Sequence, residues 1–369
     1  MQFKETRTAA QKYWHVIHQR SIQKREATRP ERLKRFKAGQ SRYIPDHPHI
    51  DVLKAPELLS LDTNGISNTL TFLTELRKLV FIDRAKHIRL DLSACKEIDI
   101  AAALTLTAEI ERCLAKAPVR IQGNCPHPDA GDAFLTLRDL GYFSYLGTKK
   151  IPEWKKEVIP AVEVLRIVSS THGDGEALAK AGQKLILGNE QQQNLFSRYV
   201  YRVLTEAATN SVRHAYLEGH DHSMPWIDGK WWMTGFRDTV NKRVVMVFYD
   251  LGLGIPQTLP IRWENFWKDL LNITPNDAEV IKLAMEVRRS RTDIGGYGLN
   301  DMKNVVQEHC KGGVLQILSG KGCYQYSKSA EGEFEETSSL PGHIEGTLII
   351  WYLDNFEGME HEHKRDKRR

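Results

Sequence analysis

The chain has 369 residues, 41% of them hydrophobic, and a formal net charge of +5. That length accommodates two domains with ordinary cores. No run reaches the roughly 18–20 consecutive apolar residues of a membrane helix, so no membrane span is expected.

Residues 1–45 carry twelve Lys or Arg against three acids, a local +9 that leaves the rest at −4. Tyr13, Val16 and Ile17 recur at helical spacing, but Arg25 to Gln40 is too polar for a core. A solvated basic arm is expected, with a polyanion such as nucleic acid as its candidate partner. The opening MQFKETRTAAQKYW has no apolar h-region, so the expected location is cytoplasmic. Cys95, Cys113, Cys125, Cys310 and Cys323 form no CxxC. This argues against zinc and for reduced thiols.

Residues 46–150 alternate strand and helix patterns. HIRLDLS is a strand, IAAALTLTAEIERCLAKA a helix, PVRIQG a strand, and DAFLTLRDLGYF a helix ended by Gly141. This order predicts a mostly parallel sheet with helices on it. Asp99 is placed to cap the long helix. Residues 151–160, with two prolines and several charges, read as a linker. Residues 161–355 form a second domain, opening on the strand AVEVLRIVSS, and 356–369 a charged tail.

Three motifs in the second domain carry chemistry. In NLFSRYVYRVLTEAATNSVRHAY, Phe196, Val200, Val203, Ala207 and Ser211 mark an amphipathic helix. Glu206, Asn210 and Arg213 fall at i, i+4 and i+7 beside that stripe. Such a row suits a metal–triphosphate. The amide oxygen of Asn210 can ligate Mg²⁺, Glu206 can orient or deprotonate water, and Arg213 can screen phosphate charge. VVMVFYDLGLGIP is a strand ending at Asp250, Gly252 and Gly254, where glycines let backbone approach a ligand. It follows KWWMTGFRD across the turn TVNK, a hairpin signal. RTDIGGYGLNDM is a Gly-rich turn, with Gly296, Gly298 and Leu299, opening a helix whose N–H groups favour phosphate. It lacks the Lys-Ser/Thr of a P-loop and the third Gly of a dinucleotide fingerprint.

In order and spacing, these motifs resemble the N, G1 and G2 boxes of the GHKL ATP-binding family. The resemblance implies a Bergerat-type two-layer α/β sandwich, an α+β fold, that binds ATP with Mg²⁺. It implies Asn210 as the Mg²⁺ ligand, Glu206 as the base and Asp250 as acceptor of the adenine amino group. Thr347 in GTLIIWYL would lie near adenine, and Gln257–Ile294, with Arg288, Arg289 and Arg291, would be the lid. His214 is a box residue rather than a phosphoacceptor. The stretch LDLSACKEIDIAAALTLTAEIERC resembles the signature of STAS domains, an α/β fold. The serine that phosphorylatable members carry after Ile-Asp is absent here, where Ile100 and Ala101 stand. A STAS-like recognition module is therefore expected to pack on or gate the ATP domain.

These readings imply a regulatory ATPase that switches binding to a protein partner. A serine/threonine kinase of the anti-sigma-factor type and a non-catalytic ATP-binding module are the alternatives, and a homodimer is left open.

Overall fold

The computed structural model describes residues 50–127, 131–147, 162–173, 178, 181–182, 185, 195–217, 224–262, 275–286 and 299–356. The basic arm, the linker and the charged tail beyond its first residue lie outside these. No described helix is long and apolar enough to cross a membrane.

Helices and strands are mixed. β1 (Asp51–Lys54), β3 (His87–Asp91) and β5 (Arg120–Asn124) form a parallel sheet in the order β1-β3-β5. A parallel pair, β2 (Leu58–Leu59) with β4 (Glu97–Ile98), stands beside it. The connections are α1 (Ile66–Arg77) and α2 (Ile100–Lys116), as parallel strands require. Asp99 caps α2, its carboxylate accepting the Ala102 amide at 2.6 Å. The other oxygen accepts the Ser60 hydroxyl at 2.7 Å and the Leu61 amide at 2.8 Å, joining the cap to the segment after β2. Burial pushes the Asp99 pKa up against these bonds. α3 (Ala133–Leu140) ends at Gly141, whose φ of 82° is the left-handed stop of a helix. A short α4 (Tyr142–Tyr145) follows.

The second sheet is antiparallel: β6 (Val162–Ser170), β7 (Trp231–Asp238), β8 (Arg243–Asp250), β10 (Gly332–Phe356) and β9 (Cys310–Ser329), in that spatial order. The predicted hairpin is the β7–β8 pair. In the central strands side chains alternate between the two faces. Val244, Met246, Phe248, Ile349 and Trp351 point to one core, with α5 (Leu195–Asn210), α7 (Asp277–Glu286) and α8 (Asn300–His309). Val245, Val247, Tyr249, Leu348 and Ile350 point to another core, which is continuous with α1, α2 and α3. Residues 50–147 thus cover the sheet face that the helices leave open, and every residue of β7 is buried. All but the first two residues of the 8-residue α6 (Ile255–Arg262), and the whole of α7, fall within the span read as a lid. α7 is docked, burying Ile281 and Met285, and Asp277 accepts the Lys321 amide of β9 at 2.6 Å.

Candidate nucleotide site

Strand register builds the site. Ser319 of β9 stands opposite Thr347 of β10, Thr347 opposite Asp250 of β8, and Asp250 opposite Trp231 of β7. Alternation puts this row on the helix side of the sheet, at one end. Asp250 accepts the Gly252 amide at 3.0 Å and is also hydrogen-bonded to the Thr347 backbone. Burial outweighs both bonds and pushes its carboxyl up to about 7. Ser319 donates to the Gly346 carbonyl at 2.7 Å and accepts the Ile255 amide at 3.0 Å, so it pins the loop after β8 to β10.

The backbone is close-packed here. At Gly346, with φ 70°, a Cβ would lie 2.0 Å from the Asp250 carbonyl oxygen. At Gly254, with φ 82°, it would lie 2.5 Å from the Ser319 hydroxyl. These are positions for glycine on both counts.

α5 delivers the polar row to this end of the sheet. Val200, Val203, Leu204, Ala207 and Ala208 bury its apolar face, while Glu206 and Asn210 are half-buried. The α-helix stops at Asn210, and Ser211–Ala215 continue as a wider, π-type turn. Such turns are frequent at functional sites. Arg213 lies in this turn and is exposed, so it does not continue the α-helical row that i+7 spacing implies. The turn touches the loop after β8, where the Ala215 carbonyl accepts the Leu253 amide at 2.8 Å. A Cβ on Gly252 would meet that carbonyl oxygen at 2.4 Å. The turn that ends α5 and the loop after β8 therefore meet directly.

Leu299, half-buried against the helix-side core, precedes α8. Gly296 and Gly298, like Arg288, Arg289 and Arg291, lie outside the described residues. α8 is tied to α5 by Arg202, which meets Asp301 at 2.6 Å. Arg202 stands one turn before Glu206.

Sequence reading did not single out Ser319, Tyr216, Arg202 or Asp301. A serine ending the apolar run VLQIL and a tyrosine closing RHAY were the available signals. Among the described residues no group of three or more His, Cys, Asp or Glu is placed to hold a metal. A scan against protein-family models and a search of curated proteins give no match.

Proposed function

We propose that residues 161–355 bind Mg·ATP in a GHKL-type sandwich, and that the chain is a nucleotide-controlled regulatory ATPase with residues 46–150 as a STAS-like module. One observation supports this reading above the others. The buried Asp250 carboxylate shares its loop with the Ala215 turn that ends α5, so a purine acceptor and the Glu206–Asn210 row converge. Thr347 lies across from Asp250 in the adjacent strand.

In this reading Asp250 accepts from the exocyclic amino group of adenine. Gly252 and Gly254 let the loop after β8 pack against the Ala215 turn and Ser319 and so fix where Asp250 lies, and Gly296, Gly298 and Leu299 offer amides to phosphate. Asn210 would hold the Mg²⁺ ion, which when bound would supply charge neutralisation to the triphosphate. Arg213 screens the phosphates. Glu206 takes a proton from the attacking water as the bond to the leaving ADP breaks. ATP binding would alter the 257–294 segment and so the surface offered to a protein partner.

The test is calorimetry with ATP and Mg²⁺, followed by phosphate release with and without candidate partners. Saturable binding that Asp250→Asn weakens supports the reading, and equal affinity in both overturns it. Transfer of label to a partner protein, instead of release, would make the chain a kinase.

A further inference from the structure

Residues 50–147 and the loop after β8 are connected by an unbroken series of polar contacts. Glu111 lies on α2. One carboxylate oxygen accepts the Trp232 indole N–H at 2.7 Å, and the other pairs with the Lys230 ammonium at 3.0 Å. The Lys230 ammonium also stands 5.8 Å from the centre of the Trp232 ring. Trp232 lies in β7, and Lys230 is the residue before that strand. The Lys230 carbonyl in turn accepts the hydroxyl of Tyr216, the residue after the turn that ends α5. That same hydroxyl accepts the Leu251 amide at 3.1 Å, one residue past Asp250. A phenol has one proton to give, and here it goes to Lys230 while the oxygen accepts from Leu251. Burial, and then the Asp250 charge, push the Tyr216 pKa well above its ordinary value, so the hydroxyl stays a donor.

We infer that residues 50–147 brace the nucleotide site through this series, with Glu111 and Tyr216 as positioning residues that fix where the Leu251–Gly254 backbone lies. The geometry stands on the hydrogen bonds alone, while its consequence for ATP rests on the proposed function above. Glu111 holds the start of β7, and Lys230 then presents its carbonyl at a fixed point. Tyr216 converts that point into a constraint on the Leu251 amide. Freed from Glu111, the loop that places the Asp250 and Gly252 amide–carboxylate contact would sample a wider range. STAS-side binding events that displace α2 would reach the site by the same route.

The experiment uses the full chain and two readouts: hydrogen exchange of the Leu251 and Gly252 amides without nucleotide, and ATP affinity by calorimetry. Glu111→Ala is expected to speed exchange at both amides by about three- to thirty-fold, the range of measured coupling effects, and to weaken ATP by a similar factor. Glu111→Gln keeps an acceptor for Trp232 and should recover part of both. Tyr216→Phe should act in the same direction. The double variant Glu111→Ala with Tyr216→Phe should be no worse than the worse single, because both cut one series. Glu57→Ala, which removes an exposed pair with Lys96 on the same unit, should change neither readout. Exchange unchanged in Glu111→Ala, additive effects in the double variant, or an equal effect from Glu57→Ala would each overturn the brace. Exchange as expected in a protein that binds no ATP would uphold the brace and overturn the nucleotide reading.

Discussion

Asp250 is a buried acid, and this has a pH signature. Its folded pKa, about 7, stands above the ordinary 3.8. Between those values the folded chain holds a proton that the unfolded chain has released. The nucleotide-free protein should therefore lose stability as pH rises from about 4 to about 7. Denaturant midpoints across that range, compared with Asp250→Asn, check this: the variant should lose that part of the slope. A base amino group donating to the carboxylate favours the ionised form. ATP binding near pH 7 should then release a proton, so the binding enthalpy should vary with the ionisation enthalpy of the buffer. Asp250→Asn should remove that variation and weaken ATP by about 1.5–3 kcal/mol, as for a lost hydrogen bond to a charged group. Glu206 sits one helical turn earlier than Asn210 and has a different task. Glu206→Ala should leave ATP affinity close to wild type and cut phosphate release by about 10²–10⁴-fold, as general-base loss does. Release at the wild-type rate would leave Glu206 a structural residue.

At the scale of elements, the join between the π-type turn and the loop after β8 is the vulnerable point. Gly252→Ala would push a methyl against the Ala215 carbonyl oxygen and Cβ, 2.4 and 2.5 Å away. Both neighbours sit on backbone that cannot swing aside, so the expected cost is about 1–3 kcal/mol. Thermal melts should show that loss, with ATP affinity falling alongside. An unchanged melting temperature would mean the turn yields freely. The elements themselves were largely legible. Periodicity marked α2 and α5, Asp99 and Gly141 marked ends, and the run KRVVMVFYD marked β8. What escaped was set by long-range pairing. GEFEETSS, which sequence reading leaves unassigned, pairs with β9 as the outer half of β10, and nothing in its own composition specifies that partner. The π-type turn was invisible too, because Ser211–Ala215 continues a helical pattern. The convergence of Asp250, Thr347 and Ser319 could be seen only once the register was known.

The whole molecule is organised by a sheet with two buried faces. The signal was in the sequence: WWM in β7 and VVMVFY in β8 are apolar without alternation, as strands covered on both sides must be. Their second cover is residues 50–147, and the contact includes charge. Glu109 of α2, fully buried, accepts Arg77 at 2.8 Å and Arg112 at 2.5 Å. Burial opposes the charge on Arg112, but Glu109 and Glu345 more than offset it, and the guanidinium stays ionised. Glu345 belongs to β10, and its carbonyl accepts the Tyr249 hydroxyl at 2.9 Å, so this cluster lies where the two units meet. Glu109→Leu would strand two buried cations. The expected loss is about 3–5 kcal/mol, the cost of removing one partner from a buried pair. Because one core spans both units, that loss should fall on the entire chain: calorimetry should show a single transition, moved to lower temperature. Two transitions, with only one of them shifted by Glu109→Leu, would make residues 50–147 an independently folding domain. In that case the sheet face beneath it, with Trp232, Phe236 and Tyr249, would have to remain folded while exposed, against the large apolar area it would present to water.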